Sequence, residues 1–179
     1  MYATSVKNPT FGQNFMDLKS ISFLILSLFA FSVFAQDQQP QQGSRQINIV
    51  YGANFTKDEA QFPGASIFSK DDERQVQFEH QGADLWCDIA IFYAEENRLK
   101  AIGNIRLQQG DSIEMNSAKL DWDGNTSLAK AWENVDLTNG QMRLTTDTLY
   151  FYREKQLAYY NSGGKVVDSA NVLTSKVGT

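Results

Sequence analysis

The sequence predicts an all-β protein of stacked antiparallel strand-pair repeats, forming a creased, V-shaped sheet of β-jellyroll or solenoid-like form. Three observations predict it. Short segments alternate apolar and polar residues, they recur at a spacing of about thirty residues, and the apolar face changes phase once in each repeat. Pro stands only at positions 9, 40 and 63, and no long helical stripe interrupts the pattern.

The amino-terminal residues lie outside that pattern. Ile21 to Phe34 is a continuous apolar run, preceded by Lys19 and followed by Ala35. The run is short for a membrane-spanning helix and suits the hydrophobic region of an export signal. Val33 and Ala35 are small residues of the kind a signal peptidase requires. Residues 1–35 are therefore read as a signal peptide, with Met16 as an alternative start. An uncleaved anchor is the competing reading, and the lack of a following Cys argues against a lipoprotein. Residues 36–46, containing QDQQPQQGSR, form a polar flexible leader, and residues 47–179 form one β-repeat domain.

Removing residues 1–35 takes away Lys7, Lys19 and Asp17, so the net charge moves from −5 to −6. That balance gives no support for nucleic-acid binding, which calls for a basic stripe. Cys87 is the only cysteine, so no intrachain disulfide is available and packing must hold the fold. A lone Cys between Trp86 and Asp88 is expected as a small buried residue.

The first block is irregular. Ile47, Ile49 and Tyr51 alternate as a strand, Phe62-Pro63-Gly64 reads as a loop, and Val76 to His80 closes the block. From Gln81 the repeat is regular. Ala101 corresponds to Ala131, Asn104 to Asn134, Ile105 to Val135, Leu107 to Leu137, and Gly110 to Gly140. The large aromatic returns as Phe92, Trp122 and Phe151.

Each outgoing strand holds an apolar face, slips by one residue and continues. Leu85 and Cys87 give way to Ala90 and Phe92. Ile113 and Met115 give way to Leu120 and Trp122, and Met142 and Leu144 to Leu149 and Phe151. A strand that keeps one face through such a slip contains a bulge or bend, and bends at one register crease a whole sheet. The returning strands carry Leu99 and Ala101 then Ile105 and Leu107, and Ala129 and Ala131 then Val135 and Leu137. Asp123-Gly124-Asn125 and Glu95-Glu96-Asn97 supply turns within blocks; Gln108-Gln109-Gly110 and Thr138-Asn139-Gly140 join one block to the next. Leu173 to Ser175 repeat the start of the Leu144 to Thr146 strand, so the domain is expected to be truncated at its carboxy terminus.

The segments GADLWCDIAIFY, NRLKAIGNIRLQQGDSIEMNSAKLDWDGNTSLAKAWENV and LTTDTLYFY resemble successive repeats of the OstA-like, LptA-type family. Ala101-Ile102-Gly103-Asn104-Ile105 follows that family's Ala-x-Gly-Asn-Val step. Ala131-Trp132-Glu133-Asn134-Val135 departs from it with Glu in place of Gly, and Gly163-Gly164-Lys165-Val166 lacks the Asn. The resemblance covers roughly residues 47–179. It implies periplasmic transport of lipopolysaccharide toward the outer membrane, with lipid A acyl chains held between the walls of the jellyroll. It also implies end-to-end joining to other β-jellyroll modules through edge strands, and no cofactor. On this reading the inner-face residues named above, from Leu85 to Phe151, line the lipid groove. Their plain alternative is to fill an ordinary β core.

Other chemistry finds little footing. His80 is the only histidine, and no oriented acid–base pair, nucleophile triad or metal-ligand cluster accompanies it, so no catalytic or metal-binding residue is assigned. Asp121 and Asp123 start a calcium-like spacing that Gly124 cuts short, and they read as turn carboxylates. Asn54-Phe55-Thr56 and Asn125-Thr126-Ser127 match glycosylation sequons that matter only in a eukaryotic secretory pathway. Arg98, Lys100 and Arg106 alternate opposite to the apolar set and are placed on the outer, solvated face. A structural or adhesive envelope β-solenoid is the alternative function, and a carbohydrate-processing β-helix stands third.

Overall fold

The structure, a computed structural model, describes residues 45–179. The expected signal peptide and the expected leader before Arg45 lie outside the described residues. The described strands join into one antiparallel 13-stranded sheet. In chain order they are β1 (Asn48–Tyr51), β2 (Asn54–Thr56), β3 (Ser66–Ser69), β4 (Val76–His80), β5 (Ala83–Cys87), β6 (Ile89–Tyr93) and β7 (Arg98–Gln109). They continue as β8 (Ile113–Asp123), β9 (Leu128–Asn139), β10 (Met142–Tyr152), β11 (Leu157–Tyr159), β12 (Gly164–Val167) and β13 (Val172–Ser175). A 3₁₀ turn, Arg153–Lys155, follows β10.

The sheet is creased along its middle into two walls. One wall runs β1, β4, β5, then the halves of β7 to β10 at the Gln109, Ile113, Asn139 and Met142 ends, then β12 and β13. The other runs β2, β3, β6, the remaining halves of β7 to β10, and β11. The crease falls where the apolar phase slips. Asp88 separates β5 from β6, and the pairing register shifts between Ile102 and Ile105, Asn116 and Lys119, and Thr146 and Thr148.

Backbone conformation makes the crease. Gly103, Asn104, Glu133, Asn134 and Gly163 all have positive φ there, from 44° at Asn104 to 82° at Gly103. A residue in the left-handed region turns the strand without breaking the ladder on either side. Gly103 is needed twice over, because a Cβ there would also meet Oδ2 of Asp88 at 2.8 Å. Asp88 ties the crease together. Its carboxylate accepts from Asn104 Nδ2 at 2.7 Å and Gln75 Nε2 at 3.1 Å, and pairs with Lys70 at 3.2 Å. Burial works against its charge, but these donors outweigh it and hold the carboxyl below its ordinary value.

Between the walls lies one continuous apolar core from Ile47 to Tyr160. Aromatic rings join the walls directly. Phe78 of β4 lies 6.1 Å from Phe68 of β3 and 5.5 Å from Phe92 of β6. Cys87 is buried in this core, as a small apolar residue would be. Ile47 is enclosed, whereas Ile49, paired in register with the buried Phe78, is exposed because β1 is the last described strand at that end of the sheet.

Candidate functional site

Along each strand the alternation sends every second residue into the space between the walls. The inner set contains Leu85, Ala90, Phe92, Leu99, Ala101, Ile105, Leu107, Ile113, Met115, Leu120 and Trp122, with Ala129, Ala131, Val135, Leu137, Leu144, Leu149 and Phe151. All of these are buried. Met142, assigned to the same face, is 48% exposed because it stands at the end of its strand, on the rim. Most of the trough is thus filled by its own side chains, from the amino-terminal end as far as Trp122 and Leu149.

Among the described residues, the trough is open beside β11, β12 and β13. A cavity of about 380 Å³ lies there between the walls, with Ile113, Leu137, Leu144, Phe151 and Val166 among its lining. Tyr160 bounds it, its hydroxyl 2.6 Å from Ser175 Oγ, with Gly164 and Gly178 giving the ring room. Met142 and Asn139 stand on one side of the opening, Gln156 and Leu157 on the other, and Leu173 and Val177 complete it. The size falls in the range of ligand pockets, and the apolar lining suits hydrocarbon.

Nearer the amino-terminal end, polar side chains cross the mouth of the V, opposite the crease. Arg153, just past the end of β10 on one wall, reaches the strand ends of the other. Its Nη2 donates to the His80 carbonyl at 2.9 Å, its Nη1 to His80 Nδ1 at 3.0 Å and its Nε to Gln109 Oε1 at 3.2 Å. The guanidinium also lies over the Trp122 ring, 4.8 Å from its centroid. Burial brings the Arg153 guanidinium down to about 10, which leaves it charged at neutral pH. His80 Nε2 donates to the Arg45 carbonyl at 3.0 Å, so the ring is neutral with its proton on Nε2. Ser127 Oγ lies 3.1 Å from Gln81 Oε1 across the mouth and 3.1 Å from Glu154 Oε1 on its own wall, its one hydrogen shared between the two acceptors. Asn97 binds Arg45 and Ile47, accepting from the Ile47 N–H at 2.7 Å. The last leader residues are therefore hooked onto the domain.

Alternation alone missed this set. His80 reads in sequence as an ordinary strand residue, and Arg153 follows a strand whose pattern has already ended. Their separation of 73 residues leaves no local signal. The outer face agrees better with its sequence reading. Arg98 and Lys100 are exposed, and Arg106 lies 4.0 Å over the Trp86 ring. Asp123 caps its turn, accepting from the N–H groups of Asn125 and Thr126 at 2.9 and 3.1 Å. Among the described residues, no cluster of His, Cys, Asp and Glu is placed to hold a metal ion.

No curated protein matches the sequence. Among solved structures, the chain is similar to LptH of Pseudomonas aeruginosa, described as the LptA homologous periplasmic component of the conserved lipopolysaccharide transport device. The TM-score is 0.51 at 10% identity, over 63% of this chain and 79% of that one. At that identity the likeness concerns the fold, a creased β-jellyroll. The sequence itself matches the OstA-like protein family over residues 50–179, nearly every described residue, and the chain belongs to that family.

Proposed function

We propose that the chain binds lipopolysaccharide in the periplasm and passes it toward the outer membrane, with acyl chains lying against the apolar inner face. The observation that carries this reading is the apolar cavity at the carboxy-terminal opening, about 380 Å³ in volume and continuous with the core. Family membership and the likeness to a periplasmic transport component support it. Filling that space with hydrocarbon removes apolar surface from water on both partners, which drives binding without a specific polar contact.

The same reading gives the sheet ends a role. Among the described residues, β1 and β2 are edge strands at one end, and β11 and β13 at the other. Their unpaired backbone groups are suited to strand addition by other jellyroll modules of a transport bridge. Among the described residues, no helix is long and apolar enough to cross a membrane.

The test belongs at the rim, because Leu120 and its neighbours are fully buried and a charge there would undo the fold. Leu173 and Met142 line the opening and are 61% and 48% exposed. Replacing both by Asp is expected to weaken binding of lipopolysaccharide by about tenfold or more while the circular dichroism of the sheet is unchanged. Full-strength binding by the folded double variant would count against the trough and favour a structural envelope role.

A further inference from the structure

The mouth of the trough is crossed by side chains over its first part and open over its last. Arg153 sits at the boundary. On its amino-terminal side the strand ends of the two walls are joined, by Arg153 to His80 and Gln109, by Ser127 to Gln81, and by Asn97 to Arg45 and Ile47. On its carboxy-terminal side, Asn139 and Met142 face Gln156 and Leu157 across a cavity instead of a contact.

We propose that Arg153 is a latch: it holds the two walls together at the mouth, so that an acyl chain enters beside Leu157 and Met142 and reaches the Trp122 segment only when the latch parts. This rests on the lipid-binding reading above. Three features make the contact a closure that can open. Its hydrogen-bond acceptors are all neutral: a ring nitrogen, a backbone carbonyl and a side-chain amide. Glu79 and Glu154 favour the Arg153 charge from nearby but neither is bonded to it, so burial still outweighs them, and parting the walls relieves that cost by letting water in. Each contact of the closure also has a side chain on at least one side, with no strand ladder joining the walls at the mouth, since the ladders of β7 to β10 run through the crease on the opposite side. Beneath the guanidinium, the buried Trp122 Nε1–H finds no acceptor among the described residues, so the space under the latch is imperfectly satisfied when shut.

A brominated fatty acid, which quenches tryptophan on contact, reads the latch directly. The protein has three tryptophans, and Trp86 and Trp132 pair with cations on the outer face. Replacing those two by Phe leaves Trp122 as the reporter under the latch. A second protein that also carries Trp122→Phe and Phe151→Trp reports from the cavity. The cavity reporter is expected to be quenched at about tenfold lower concentration than Trp122. Adding Arg153→Met is expected to bring Trp122 to the same concentration as the cavity reporter. Gln81→Ala with Ser127→Ala, a gentler opening of the neighbouring contact, shifts it in the same direction and serves if Arg153→Met does not fold. Equal quenching of both reporters with Arg153 in place overturns the latch and leaves lipid binding standing. Trp122 still protected in folded open-mouth variants also overturns it. Quenching at neither site overturns the lipid reading and the latch with it.

Discussion

Nη1 of Arg153 lies 3.0 Å from Nδ1 of His80, joining the two walls of the sheet at the side away from the crease. The pair is asymmetric: the guanidinium is charged, and the imidazole must be neutral to accept its hydrogen. Removing the donor leaves the His80 carbonyl, His80 Nδ1 and the Gln109 amide oxygen without it. Arg153→Met is expected to lower stability by about 2–3 kcal/mol, read from urea midpoints at constant m value. A loss within experimental error would show that water replaces the guanidinium freely.

The same pair makes stability depend on pH. Burial, and then the charge of Arg153, hold the His80 imidazole below its ordinary 6.5, while Glu79, Glu154 and the Arg45 carbonyl pull the other way. The unfolded chain therefore takes up a proton at His80 before the folded one does. The stabilising contribution is complete above 6.5 and declines as the pH falls from there toward the folded value. Denaturation midpoints of the parent are expected to fall between about pH 7 and pH 5, by up to about 1.4 kcal/mol per pH unit. His80→Gln is expected to remove that slope. Parallel profiles for the two proteins would rule out a neutral, buried His80.

At the crease, Gly103 and Glu133 occupy equivalent steps of the repeat with φ of 82° and 64°. Only one of them is suited to that conformation. Glu133→Gly is expected to stabilise the fold by about 1 kcal/mol, because a side chain in the left-handed region is strained. The exposed contact from Lys119 to Glu133 that is lost contributes little against this. Gly103→Ala is expected to cost about 2 kcal/mol or more, since strain and the close approach to Asp88 add. Thermal midpoints moving in the same direction for both variants would contradict this account of the crease.

Burial pushes the Cys87 thiol up to about 12, with the Asp88 charge adding to the effect. The thiolate is the reactive form, so Cys87 in the folded protein is expected to resist a thiol reagent near neutral pH. It should react fully in denaturant and so report global opening of the core. Rapid labelling of the native protein would show that the crease beside Asp88 opens locally.

The two halves of the architecture were not equally legible in the sequence. Alternation has a period of two residues, so a single inserted residue reverses every side chain after it, and the slips at Asp88, Ser117-Ala118 and Asp147 stand out. Their common spacing locates a crease before any coordinates are considered. The same logic put Arg98, Lys100 and Arg106 outside. It could not place the polar contacts at the mouth, because those join residues from strand ends where alternation has stopped. It also put Met142 inside with Leu144, yet at the tip of its strand the opposite wall has drawn away. Ile49 differs for a related reason: it stays opposite the inward Phe78, but among the described residues no strand lies beyond β1 to cover it.

The crease has a consequence for solubility. Exposed strand edges are the surfaces through which β proteins polymerise out of control, and among the described residues each end of this sheet has them. Among the described residues the edge strands are short: β1 and β13 have four residues, and β2 and β11 have three. The two edges at an end lie on different walls, set at an angle. A flat sheet or a misfolded strand can dock on one wall only, over three or four residues, whereas a sheet bent by the same angle can dock on both. The bend in the backbone thus acts as a filter against amyloid-like growth, beside the charges of Lys57 and Lys176 that directly follow β2 and β13.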